Sequence, residues 1–95
     1  MPVVLSARER AELKARAHML EPVVQVGQHG ATDAVVAEVD RALTAHELIK
    51  VKIADPDRDT REATGDTIAE RADAAVVQRV GRIVVLFRPR PDTES

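Results

Sequence analysis

Gly27, Gln28, His29 and Gly30 form a short segment with glycine at both ends, and Thr32 and Asp33 follow it closely. Two glycines let a backbone turn sharply, and the missing Cβ atoms let an anion approach the main chain. If a helix starts at Thr32, its free N–H groups and the positive end of its dipole add attraction for a phosphate. The chemistry implied is anion binding by main-chain amides, with Gln28 and His29 free to add hydrogen bonds. Taken alone, the pair of glycines also reads as an ordinary turn.

Other reactive groupings are sparse. The chain has no cysteine, so disulfides, thiolate metal sites and a cysteine nucleophile are excluded. Ser6 and Ser95 are the only serines, and Ser6 reads as a helix cap, so no hydroxyl nucleophile stands beside a base and an acid. His18, His29 and His46 fall on separate elements without a paired ligand spacing, which argues against a metal. His18 and His46 instead suit helix C-termini, where they meet the last carbonyls. The expectation is a protein without catalysis, cofactor, metal or small-molecule substrate.

The elements that must position the loop can be read from caps and periodicity. Ser6 and Glu9 have capping-box spacing ahead of a helix from Ala7 to about His18, with Leu13, Ala17 and Leu20 as its apolar stripe. Pro22 forces an extended exit, and Val23-Val24-Gln25-Val26 reads as a strand feeding the loop. Thr32 caps a second helix, with Val35, Val36, Val39 and Leu43 at helical spacing, ending near His46. In Leu48 to Ile53 the apolar Ile49, Val51 and Ile53 alternate with Lys50 and Lys52, which predicts a strand buried on one face with both lysines pointing away from the core. Thr60 is expected to cap a third helix through about Ala72, weakened by Gly65 at a cost of about 1 kcal/mol. Val76 to Val80 and Ile83 to Arg88 form a hairpin around Gly81-Arg82; its last strand, apolar from Ile83 to Phe87, should be central and covered on both faces.

These elements give the order α-β-α-β-α-β-β: an α/β fold in two layers, with a mixed four-stranded sheet and three helices. Residues 1–88 form one domain and 89–95 a flexible tail, in keeping with 95 residues in all. The core must be aliphatic, because Phe87 is the sole aromatic residue. No apolar run approaches the roughly 18 residues of a membrane span, and a soluble, cytoplasmic monomer is expected. The net charge of -2 is unevenly placed: the stretch from Asp55 to Asp73 carries -4 and the remainder +2. That division predicts one basic and one acidic side, the acids forming a solvated surface.

Three separated segments resemble a known family. Pro22 to Asp33, with its Gly-X-X-Gly loop, then His46-Glu47-Leu48-Ile49-Lys50-Val51-Lys52-Ile53, then Val84-Val85-Leu86-Phe87-Arg88-Pro89, look together like the CRM domain (chloroplast RNA splicing and ribosome maturation), whose bacterial single-domain form is the YhbY family. The resemblance runs from about Leu5 to Pro89. It implies a KH-like Gly-X-X-Gly loop on a domain similar to the C-terminal domain of a bacterial initiation factor. It further implies binding to RNA, with the bacterial form associated with precursors of the large ribosomal subunit and their ribosomal RNA. The acidic net charge departs from a family that tends to be basic.

The resemblance carries RNA-binding expectations for Gly27, Gln28, His29, Gly30 and Thr32, and extends them to nearby bases. Lys14 and Arg16 are either an RNA-facing stripe or a solvated face paired with Glu9 and Glu12. Lys50 and Lys52 either contact phosphate or keep a strand face soluble. Arg88 binds either RNA, the reading preferred here, or an internal carboxylate. Without Trp or Tyr there is no aromatic platform for stacking bases, so recognition should rest on backbone and shape. A second reading stays open: a protein-binding module that docks on ribosomal or assembly proteins through a sheet edge or the acidic helix.

Overall fold

The computed structural model describes residues 4–89, and the tail expected from residue 89 therefore falls, beyond Pro89, outside the described residues. Seven elements follow in the expected order: α1 (Ala7–Ala17), β1 (Pro22–Val26), α2 (Asp33–His46), β2 (Leu48–Ile53), α3 (Arg58–Arg71), β3 (Ala75–Val80) and β4 (Ile83–Phe87). The strands form one sheet in the order β1-β2-β4-β3, with β1 parallel to β2 and the other neighbours antiparallel.

Local chemistry accounts for the helix starts. Ser6 Oγ accepts from the Glu9 N–H at 3.0 Å while Glu9 Oε1 accepts from the Ser6 N–H at 2.9 Å, so both free donors are satisfied reciprocally. Thr32 Oγ1 accepts from the Val35 N–H at 3.1 Å at the head of α2. The third cap differs from expectation. Asp57, not Thr60, caps α3, and Thr60 sits inside the first turn donating both its N–H (2.8 Å) and its hydroxyl (2.7 Å) to Asp57 Oδ2. A carboxylate accepts two donors at once and suits the positive helix end, so it takes the cap from the hydroxyl.

The layer count is also corrected. Val39, Leu43, Ile68 and Ala72 of α2 and α3 and the adjoining cap pack on one face of the sheet against Val24, Val51, Val84 and Leu86. Leu13 and Ala17 of α1 pack on the other face against Leu48, Val77 and Val85, so the domain has three layers with the sheet in the middle. The physical reason is β4. As expected it lies between two strands and is apolar at every position, so both its faces need cover. Both lysines of β2 do point away from the larger core, but the face they share is not open throughout: Leu48 on it is buried under α1 and Lys50 is partly buried.

Arg10 fixes α1 in place. Its Nη1 donates to the carbonyls of Val76 (2.6 Å) and Val77 (3.1 Å), at the point where the β3–β4 register shifts between Val76 and Gln78. A bulge leaves carbonyls without ladder partners, and a guanidinium supplies two donors to them. Gly65 has an equally specific setting. It is buried in α3, where a Cβ would lie 3.5 Å from Ile53 Cδ1 and 3.7 Å from Val84 Cγ2, so the helix approaches the sheet closely there.

Candidate nucleic-acid interface

The loop after β1 leaves the sheet at the end where β2 also finishes, because the two strands are parallel. Gly27, Gln28 and His29 are exposed. Gly30 N–H donates to the Gly27 carbonyl at 3.1 Å, which closes a four-residue turn, and Thr32 N–H donates to the Gly30 carbonyl at 2.9 Å. The two glycines have different jobs. Gly30 has φ +71°, a conformation that costs an L-residue about 1–2 kcal/mol, so it is required by the turn itself. Gly27 has no such φ, and a Cβ placed on it would meet nothing within 4 Å.

The accounting of donors shows what is left over. Gly30 N–H is used by the turn, Val35 N–H by Thr32 Oγ1 and Val36 N–H by the Thr32 carbonyl. Among the described residues the N–H groups of Gln28 and His29 have no acceptor within the chain, nor do those of Asp33 and Ala34 in the first turn of α2. Unmatched amides at a helix mouth form an anion-binding concavity.

A cleft of about 360 Å³ lies between the loop and α3, lined by Gly27, His29 and Gly30 on one side and Thr60, Thr64 and Thr67 on the other. Asp55 also borders it, and its carboxylate accepts the Asp57 N–H at 2.8 Å. Arg71 braces the exit from the loop. Its guanidinium donates to the Ala31 carbonyl at 3.1 Å and forms an ion pair with Asp33 at 2.5 Å, which offsets the one carboxylate in the first turn of α2. Nothing local in the sequence marks Arg71 for this, since its partners are about forty residues away.

The remaining expected residues do not join the loop cleft. Lys14 and Lys50 line a separate groove of about 290 Å³ with His18 and Gln78, on the α1 face of the sheet. Arg16 borders a third depression with Leu20, Val23 and His46. Lys52 is exposed on the same strand face as Lys50. None of these four bases forms an ion pair among the described residues: Arg8 takes Glu12, in an exposed pair at 3.8 Å, and Glu9 is held in the capping box. They remain available as cations, outside the cleft.

Arg88 has partners inside the fold. Its Nη1 donates to Asp40 Oδ1 (2.7 Å) and the Ala72 carbonyl (2.7 Å), and its Nη2 to Thr44 Oγ1 (3.0 Å) and the Asp40 carbonyl (3.1 Å). Its side chain is 19% exposed. Of the two partners expected for it, the internal carboxylate is present, and four acceptors on α2 and at the end of α3 engage the guanidinium. The acidic stretch lies at the surface as expected, with Asp57, Asp59, Asp66, Glu70 and Asp73 exposed, and some of its acids have partners there: Asp57 caps α3, Glu62 pairs with Arg58 and Asp66 with Arg79. Among the described residues no cluster of His, Cys, Asp and Glu is arranged to hold a metal, and no helix is long and apolar enough to cross a membrane.

Comparison with known proteins places this geometry in a family. The model of the CRS1 / YhbY (CRM) domain matches residues 5–88. The chain is 44% identical over 90 residues to an RNA-binding protein of Haemophilus influenzae, covering 95% of this chain and 91% of that one. It is 37% identical over 89 residues to a probable RNA-binding protein of Pseudomonas aeruginosa, covering 94% and 86%. The solution structure of the hypothetical protein SAV1595 from Staphylococcus aureus superposes with a TM-score of 0.83 at 25% identity, over 96% of this chain and 95% of that one. A match across residues 5–88, with the fold shared by the Staphylococcus aureus protein, means that this chain belongs to the CRS1 / YhbY (CRM) domain family.

Proposed function

We propose that this chain is a non-enzymatic RNA-binding protein that grips phosphates of structured RNA at the Gly27 to Gly30 loop, and that it acts in assembly of the large ribosomal subunit by binding precursor ribosomal RNA. The observation that carries the first half is the pairing of unmatched, exposed amides at Gln28 and His29 with a Gly27 that neither the turn nor the packing requires. A glycine without an internal reason, facing open space beside free donors, suits the close approach of a ligand. Relatives described as an RNA-binding protein and a probable RNA-binding protein, at 44% and 37% identity, support the ligand class. The subunit and the precursor rest on the family resemblance, with Lys14, Arg16, Lys50 and Lys52 as further phosphate contacts.

Gly27→Asp tests the loop. The change adds no steric conflict, so unfolding stability should stay within about 0.5 kcal/mol, as for a surface substitution. A carboxylate at the mouth of the turn should weaken binding to a labelled structured RNA at least tenfold, roughly the effect of one lost charge-assisted contact. Unchanged affinity with a native circular dichroism spectrum would remove the loop from the mechanism. For the cellular role, gradient sedimentation with crosslinking and sequencing of the attached RNA should recover the chain with large-subunit precursors; recovery on unrelated RNA would contradict it.

The second reading, a protein-docking module, has one observation in its favour. β1 is an edge strand, and Val23 on it and Met19 and Leu20 just before it are exposed. An association with ribosomal proteins that survives nuclease treatment would favour it.

A further inference from the structure

The stretch that carries most of the negative charge also builds a cationic cavity. At the β3–β4 turn a recess of about 280 Å³ is walled by Arg58 and Arg61 of α3, Arg79 of β3 and Arg82 of the turn, together with Ile53 and Glu62. Two of these arginines hold only exposed ion pairs: Arg58 with Glu62 at 3.2 Å, the side chains 81% and 43% exposed, and Arg79 with Asp66, 43% and 56% exposed. Pairs of that kind are worth about 0–1 kcal/mol, so an incoming anion can replace the carboxylate at little cost. Arg61 donates Nη1 to the carbonyls of Asp55 and Pro56 at 2.9 Å each, and its enclosed Nε has no acceptor among the described residues. Arg82 has no side-chain partner among the described residues.

We propose that this recess is a second phosphate site, which takes a phosphodiester of the same RNA strand that the loop holds. The inference rests on the RNA-binding reading above and extends it to a surface that the sequence presents as acidic. Guanidinium forks match phosphate oxygens bidentately, and four of them converge here with a single lining carboxylate.

The backbone fixes the recess close to the loop. Ala54 N–H donates to the Val26 carbonyl at 3.0 Å, next to Gly27, and Ile53 N–H donates to the Arg82 carbonyl at 2.8 Å. Two adjacent residues therefore tie the loop's root to the hairpin turn. Ile53 lines both cavities, and only the start of α3 stands between them, with Thr60 toward the loop and Arg58 and Arg61 toward the recess. A strand that crosses this end of the sheet meets amides first and guanidiniums next.

The test uses the full chain and a labelled RNA hairpin with single-stranded flanks, with affinity measured at several salt concentrations. R58Q/R82Q removes two guanidiniums that have no internal partner beyond the exposed Glu62. Each lost phosphate contact lowers the slope of log affinity against log salt by roughly 0.7–0.9, so this variant should bind roughly tenfold more weakly with a slope shallower by roughly 1.5. R58K/R82K keeps both charges and should keep most of the slope. Native affinity and slope in R58Q/R82Q, with binding lost in Gly27→Asp, would overturn the recess and leave the loop standing. Loss in R58Q/R82Q with native binding in Gly27→Asp would do the reverse, upholding the recess and removing the loop.

Discussion

The two ends of the sheet treat their polar groups in opposite ways. Where β4 finishes, opposite the start of β2, Arg88 gives its guanidinium to Asp40, Thr44 and the Ala72 carbonyl, and its own N–H to the Glu47 carbonyl at 2.9 Å. Glu47 holds φ 64° there, and that local strain persists because its N–H is also tied to the Leu43 carbonyl at 2.8 Å. Where β1 and β2 finish, the Gln28 and His29 amides and the side chain of Arg82 have no partner among the described residues. Both ends fall in segments that carry the family resemblance, so nearness to a motif does not separate them. What separates them is whether the donors already have acceptors, and a group can bind a ligand only with capacity the fold has not consumed.

That contrast can be broken by substitution. Arg88→Ala should have the largest effect on stability, about 2–3 kcal/mol by urea denaturation, since it leaves the Ala72 carbonyl and Thr44 without their donor and a partly buried pair broken. RNA affinity of the folded protein should not change. A loss of affinity without loss of stability would return Arg88 to the interface.

Within the loop, Gly30→Ala should cost about 1–2 kcal/mol because of its positive φ, while Gly27→Ala should be close to neutral. Equal costs at the two positions would mean that the turn needs both glycines, and the case for a ligand-facing Gly27 would weaken.

The smallest effect is expected from acid. Hydrogen bonds from the backbone and side chain of Ser6 hold the Glu9 carboxyl below its ordinary 4.5, and those from the side chain and backbone of Thr60 hold the Asp57 carboxyl below its ordinary 3.8. A carboxyl depressed on folding contributes stability that is present above its unfolded value and lost as pH falls through the folded one. The thermal midpoint should therefore begin to drop as pH falls past the unfolded values of these groups, and Asp57→Asn should flatten part of the drop. An unaltered acid profile in that variant would mean that the α3 cap does not contribute.

Much of the architecture was legible because it is encoded locally. The capping box at Ser6 and Glu9, the Thr32 cap, the strand periods and the uniformly apolar β4 each use residues within a few positions of one another. The face taken by α1 was not legible, since Leu13 and Ala17 declare an apolar stripe without naming the strands it covers. The same limit hid the partners of Arg10, Arg71 and Arg88, which lie from 16 to 67 residues away, and the gathering of arginines from α3 and the hairpin. The loop itself was legible as a pattern, and the unequal roles of its glycines were not, because φ at Gly30 and the empty space at Gly27 exist only in the folded chain.

The central claim is that free main-chain amides at the loop receive the RNA phosphate, and amide NMR reads those groups one by one. On titration of the ¹⁵N-labelled chain with the RNA hairpin, the signals of Gln28, His29, Asp33 and Ala34 should move most, while those beside Arg88 stay in place. Shifts confined to other surfaces, with the four loop and helix-mouth amides unmoved at saturation, would contradict the account.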